Sequence, residues 1–356
     1  MAVIRLGAGG RGAAAPPARR LSRASEYTLG DRILRGLSAV MAVIPGGLVG
    51  FLAILMIVTA LPAIVFNGTN FFTGTTFTLG NLYATTTTTH NGVVAPHGAQ
   101  YGALTFIIGT LSTSLIALAV AIPVSVGGVL MLTEWVPRRL QNSLSVFLEL
   151  LAGIPSVVFG LWGVVVLGPF LAQHVYPALA HINVVIPWFG GPIVASGQGL
   201  LTAALVLAVM IIPIIASTTR GLIRQVPILA KEGALALGMT RYETVKVVTI
   251  PYIRRGIVAA SLLGWGRALG ETIAVLLISG NALNSIPHSI FAQTSTVAST
   301  IAALLDAALT DFTNMGVHAL AELGLLLLFI SLVTNFGGRL IVRRISSGAL
   351  PVGRGI

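Results

Sequence analysis

The sequence predicts an all-α membrane protein: six transmembrane helices, both termini in the cytoplasm, and a cytoplasmic helix-turn-helix between the fourth and fifth spans. Three observations carry that prediction. Only 9% of the 356 residues are charged, against about 25% in soluble proteins, while 55% are hydrophobic and the mean hydropathy is +0.93. Six stretches reach the roughly 20 apolar residues that a crossing of about 30 Å of hydrocarbon requires. The 21 Lys/Arg residues are confined to alternate connections. A soluble fold of this length has too much surface to cover with so few charges. With no cysteine in the chain, disulfides, thiolate zinc sites and cysteine nucleophiles are excluded.

The first 36 residues are rich in Gly, Ala, Pro and Arg, with Glu26 and Asp31 as the acids. That composition fits a disordered cytoplasmic tail of a prokaryotic protein or an organellar transit peptide, and the tail is the preferred reading. The first apolar run is too long for a cleaved secretory signal, so it is read as an uncleaved anchor. The spans run near Leu37–Phe66, Tyr101–Leu132, Ser143–Ala172, Leu200–Ser217, Gly256–Gly280 and Gly316–Phe336, leaving 338–356 as a C-terminal tail. Pro45, Pro62, Pro123, Pro155 and Pro213 lie in or near them, where neighbouring helices can satisfy freed carbonyls.

Lys and Arg occur before Gly36, at Arg138 and Arg139, between Arg220 and Arg255, after Phe336, and at Arg267 inside span five. Connections 67–100, 173–199 and 281–315 have none. The positive-inside rule therefore sets both termini in the cytoplasm. It also turns the net charge of +11 into a topology signal, and a nucleic-acid partner is dropped. The outer connections hold His90, His97, His174, His181 and His288, and His318 starts span six. None has ligand-like spacing with acidic neighbours, so no metal site is expected. Asn67-Gly68-Thr69 fits a glycosylation sequon, which matters only in a secretory-pathway protein.

Residues 220–255 read as two short helices. Pro227 suits a first helical turn, Ile228–Leu237 is helix-forming, and Gly238 can take a left-handed cap. Thr240 and Glu243 have capping-box spacing, launching Tyr242–Ile250 until Pro251 stops it. Ala230, Gly233, Ala234 and Ala236 would let another surface approach closely, with Lys231 and Glu232 orienting the contact. The residues alone leave a docking site and a pair of amphipathic helices on the membrane surface equally open.

Glu232-Gly233-Ala234-Leu235-Ala236-Leu237-Gly238, followed by Ile250-Pro251, resembles the EAA loop of ABC-transporter permeases, with Gly233 in place of the first Ala and its small volume kept. Gly264-Trp265-Gly266-Arg267-Ala268-Leu269-Gly270-Glu271-Thr272-Ile273-Ala274-Val275 and Gly153-Ile154-Pro155-Ser156-Val157-Val158-Phe159-Gly160-Leu161-Trp162-Gly163 resemble the signatures of phosphate-specific ABC permeases. Ile278-Ser279-Gly280-Asn281 and the long connection after span one look more like the PstC type than its paralogue PstA. The resemblance implies phosphate import into a prokaryotic cytoplasm by alternating access, in the plasma or inner membrane. It implies a cytoplasmic ABC ATPase dimer docked at Glu232, Gly233, Ala234 and Gly238, a second, PstA-like permease subunit, and an extracytoplasmic phosphate-binding protein. No cofactor is expected on this chain. It has no Gly-Lys-Ser/Thr tripeptide and hence no P-loop, so ATP would be bound by the partner. It is expected to be a transport subunit and not an enzyme. The rival readings are a self-sufficient anion carrier or channel, and an ABC permease for another oxyanion. An intramembrane hydrolase lacks any Ser/His/Asp or HExxH set.

Arg267 and Glu271 are four apart, which stacks them on one face of an unbroken span five. A guanidinium at membrane depth costs about 2.5–3.5 kcal/mol on insertion scales and marks a paired site or a pathway. A structural ion pair and a fork for a tetrahedral oxyanion are both open on the residues alone; the resemblance favours the second. Glu149 in span three and Glu322 in span six are further pathway candidates, with helix packing the preferred role for each. Ser156 follows Pro155, where an opened turn could present hydroxyl and backbone donors or be an ordinary kink.

Overall fold

The computed structural model describes residues 29–83 and 86–346; the tail expected up to residue 28 and residues 347–356 lie outside them. Among the described residues six helices are long and apolar enough to cross a membrane: Ile33–Asn67, Leu104–Glu134, Ser156–Val184, Leu200–Ile223, Arg241–Leu269 and Met315–Arg344. We label the helices α1 (Leu29–Asn67), α2 (Leu104–Glu134), α3 (Arg138–Ala152), α4 (Ser156–Val184), α5 (Leu200–Ile223), α6 (Ile228–Ala236), α7 (Arg241–Leu269), α8 (Ile273–Ile278), α9 (Val297–Leu309) and α10 (Met315–Ser346).

The chain divides after Leu52 into two compact units. In the first, the described residues form the opening turns of α1, with Ile33, Leu37, Val40, Met41 and Ile44 exposed. That helix starts at Leu29, so residues 29–36, assigned to the tail, are helical. At the other end α10 reaches Ser346, past the predicted end of span six at Phe336.

In the second unit α2 and α5 form the centre. Ala117 and Ala121 face Leu207, Ala208, Ile211 and Ile215, joined by Ala260, Ala268 and Val275. Small residues let these backbones approach, and Ser125 Oγ donates to the Ile212 carbonyl at 3.2 Å across the seam, the packing expected where lipid offers no hydrophobic drive between helices.

Two predicted spans are corrected. The stretch 143–172 covers two elements: the amphipathic α3 ends at Gly153, and the spanning helix starts afresh at Ser156. Pro155 has no N–H and its ring disfavours helical geometry at Ile154, so the helix cannot pass through. The stretch 256–280 is interrupted as well. α7 stops at Leu269, and Gly270, Glu271 and Thr272 precede the short α8.

Pro251 does not stop its helix, contrary to expectation. α7 runs through it behind a π turn at Val245–Thr249. The same device recurs in α4, with π turns at Gly163–Leu167 and Leu171–Val175 just before Pro169 and Pro177. A widened i→i+5 turn makes room for the ring and omits the N–H that proline lacks. His174 lies in the second of these turns, within a helix and not in a loop.

The Lys/Arg-free connections carry structure of their own. Residues 77–101 hold two antiparallel pairs: Phe77–Thr78 with Gln100–Tyr101, and Thr87–His90 with Val93–Pro96 around Asn91-Gly92, both at positive φ. Connection 281–315 contains α9, started by a capping box between Thr296 and Ser299. Its first N–H, of Val297, donates to Thr110 Oγ1 of α2 at 2.9 Å. A Cβ at Gly109 would lie 2.1 Å from the Ser295 carbonyl oxygen, so only glycine admits that approach.

Candidate functional site

The two interruptions meet. The opening turns of α4 lie along α8: a Cβ at Gly160 would come 2.8 Å from Ala274 Cα, and one at Gly163 would come 2.3 Å from Ile278 Cδ1. Both contacts advance in the same chain direction, so α4 and α8 run parallel, and the Gly270–Thr272 break just before α8 comes to the opening turn of α4. Phe159, Ala203, Val206, Met210, Ala274 and Ile278 form the apolar support behind them. The first N–H groups of a helix have no intrahelical acceptor, which frees those of Ser156 and Val157; Val158 N–H is taken by the Pro155 carbonyl at 3.0 Å. Ser156 is half-buried and Val157 exposed.

Arg267 sits in the last turn of α7, where a cation complements the helix dipole, and its side chain is exposed. The stacking expected with Glu271 does not occur. The i,i+4 rule needs a continuous helix. Here Gly270 N–H closes onto the Arg267 carbonyl at 3.2 Å and Glu271 N–H onto Ala268 at 3.4 Å, which leaves Glu271 in the break, half-buried. Among the described residues no ion pair joins the two. The structure thus brings Ser156, Glu271 and the end of α7 to one region, with Arg267 on its open side.

Glu149 and Glu322 lie elsewhere. Glu149 is exposed on α3, one turn before the Gly153 break, and acts electrostatically on Arg220 of α5. Glu322 is 6% exposed and accepts a hydrogen bond from Asn67 Nδ2 at 2.6 Å, at the end of the bundle where α1 finishes. His318, one turn before it on α10, holds the Thr59 carbonyl through Nδ1 at 2.6 Å.

The segment between α5 and α7 has the local signals read from sequence. Gly238 takes φ +85°, its N–H bonds Leu235 at 3.0 Å, and Met239 N–H reaches back to Ala234 at 3.2 Å, the Schellman closure of α6. Thr240 N–H donates to Glu243 Oε2 at 2.7 Å and Glu243 N–H to Thr240 Oγ1 at 3.3 Å. Glu232, Gly233, Ala236 and Gly238 are exposed, with Leu229 78% and Leu237 81% exposed beside them. A Cβ at Gly233 or Gly238 would meet nothing within 4 Å. Ala234 instead faces inward at 6% exposure. Lys231, expected on the outer face, also turns inward, to Glu134 at the end of α2. Sequence reasoning missed α3 as a separate helix. The signal was the polar run Arg138, Arg139, Gln141, Asn142 and Ser143 followed by Gly153 and Pro155.

Six candidate spans, a break at the end of the fifth that meets the opening turn of α4, and a capped helix-turn-helix between the fourth and fifth spans are the architecture of a membrane permease subunit. Residues 125–347 match the family described as binding-protein-dependent transport system inner membrane component, and the chain belongs to that family. It is 49% identical to phosphate transport system permease protein PstC 1 of Mycobacterium tuberculosis, over 94% of this chain and all of that one. It is 42% identical to the PstC protein of Haemophilus influenzae, over 70% of this chain and 78% of that one. A solved bacterial ABC transporter involved in import of the acidic polysaccharide alginate aligns at 17% identity, over 68% of this chain and 79% of that one, with TM-score 0.49. The family assignment rests on the family match and the PstC relatives.

Proposed function

We propose that this chain is a permease subunit of an ATP-driven importer that carries inorganic phosphate into the cytoplasm by alternating access. The observation that carries the reading is the paired interruption. The first turn of α4 offers the free N–H groups of Ser156 and Val157 and the Ser156 hydroxyl beside the Gly270–Thr272 break, and the Arg267 guanidinium stands at the open side of the same region. Free helix N-termini and a forked cation are the donors a tetrahedral oxyanion takes. The kinship to PstC permeases supports phosphate as that oxyanion. Glu271, in the break and without an ion pair to Arg267, is a carboxylate at the edge of the region that limits anion retention. Glu149 and Glu322 are assigned to helix packing rather than to the pathway.

Arg267 and the apolar residues Val157, Leu161, Trp162 and Ile273 are exposed. A guanidinium at membrane depth needs a protein or aqueous neighbour, so a second, PstA-like permease subunit closes the pathway over this face, and lipid covers the rest. Both ends of the sequence lie in the cytoplasm by the Lys/Arg distribution. An ABC ATPase dimer then docks on Glu232, Gly233 and Gly238, with Ala234 packed beneath them. It binds the ATP, so this chain needs no cofactor and catalyses no reaction itself. An extracytoplasmic phosphate-binding protein delivers substrate to the Lys/Arg-free end.

The test is uptake of labelled phosphate by cells lacking other phosphate carriers, with complex assembly checked in parallel. Arg267→Gln should assemble and fail to import. Full uptake by that variant would remove Arg267 from the pathway.

A further inference from the structure

α6 presents its coupling residues outward, and beside the inward-facing Ala234 one charged side chain ties it to the membrane bundle. Lys231 Nζ lies 2.5 Å from Glu134 Oε1, with the two side chains only 21% and 19% exposed. Glu134 is the last residue of α2, and α2 packs along α5 at the centre of the second unit. The pair bridges two clefts. Thr133 and Gln141 line both, joined by Trp135, Leu235 and Arg241 in one and by Arg224 and Ile228 in the other.

Both charges stand at the wrong end of their own helix. A carboxylate at the C-terminus of α2 and an ammonium in the opening turns of α6 each oppose the local dipole. Neither placement stabilises its own helix, and each charge is compensated across the gap by the other. Gln141 of α3 makes a second tie at the same point, its Nε2 donating to the Thr133 and Val136 carbonyls at 3.2 and 2.7 Å. α3 leads directly to the Gly153–Pro155 break and Ser156.

We propose that the Lys231–Glu134 ion pair is a strut that carries displacement of α6 into the end of α2, which makes both residues positioning residues of the transport cycle. The proposal rests on the reading of α6 as the ATPase dock. It gives the dock a mechanical outlet. When the ATPase moves α6, the pair pulls the end of α2, and Gln141 passes the shift to α3 and the interrupted start of α4.

The experiment uses the complete transporter in proteoliposomes, with phosphate-loaded binding protein, and reads phosphate imported per ATP hydrolysed. Glu134→Gln and Lys231→Met should purify with a full complement of ATPase, yet the ratio should fall by about fivefold or more. The swap, Glu134→Lys with Lys231→Glu, places each charge where its helix dipole favours it and should recover the ratio to within about twofold. An unchanged ratio in the single variants overturns the strut, as does a swap no better than they are. Loss of the ATPase from the single variants also overturns it, because the pair would then shape the dock and transmit nothing. Gly238→Val separates the two readings. If it keeps the ATPase at full yield, the dock falls and the strut with it; if it sheds the ATPase while the ratio in Glu134→Gln is unchanged, the strut alone falls.

Discussion

At Arg267 the difference between a charge and a fork becomes measurable. Lysine keeps the charge but replaces a planar, five-donor group with a point ammonium. Arg267→Lys should therefore lower phosphate uptake by about tenfold, roughly 1.4 kcal/mol of lost stabilisation, with the complex intact, and Arg267→Gln should lower it further. Equal uptake by wild type and the Lys variant would show that a bare positive charge suffices. Gly238 makes the complementary case for shape. Its φ of +85° costs an L-residue about 1–2 kcal/mol, so Gly238→Val should displace the turn and reduce ATPase co-purification while the spans still insert. This residue was legible in the sequence, as were Thr240 and Glu243, because caps are set by neighbours a few positions away. The pairing of Arg267 with Glu271 was not. Its spacing presupposed an unbroken helix, and Gly270 ends the helix between them.

The elements show why apolar content alone overran the breaks. Hydropathy is nearly continuous from Leu144 to Ala172 and from Gly256 to Ile278, so both stretches read as single spans. What divides them is backbone chemistry, proline in one case and a Gly270 cap in the other. The π turns before Pro169, Pro177 and Pro251 were hidden for the opposite reason: a proline that stops an α-helix can be absorbed by widening the preceding turn, and only packing decides which occurs. The closeness of α4 to α8 is itself testable. A methyl group at Gly160 would press on the Ala274 backbone at 2.8 Å, and over-packing of this kind costs about 1–3 kcal/mol. Gly160→Ala should part the two helices and reduce uptake in an assembled complex. Gly36→Ala, where a Cβ meets nothing within 4 Å, is the control and should import normally. Matching losses in the two variants would mean that α4 and α8 need not touch.

For the whole molecule the most legible feature was the distribution of charge. Lys and Arg alternate between dense and empty connections, which agrees with the six candidate spans and predicts that both termini are cytoplasmic. The site was not legible in this way, because no spacing in the sequence shows that Gly270 ends α7 and leaves Arg267 exposed in its last turn. Orientation is open to direct test, since the chain has no cysteine of its own. Thr87 and Ser285 lie in Lys/Arg-free connections and Thr240 lies in the turn between α6 and α7, and all three are exposed. Single cysteines at Thr87 and Ser285 should react with an impermeant thiol reagent added to intact cells, while one at Thr240 should react only after the membrane is opened. The reagent distinguishes the two sides because a charged probe cannot cross the hydrocarbon that the six spans cross. Labelling of Thr240 from outside would invert the topology and move the ATPase dock to a compartment without ATP, which the import mechanism cannot survive.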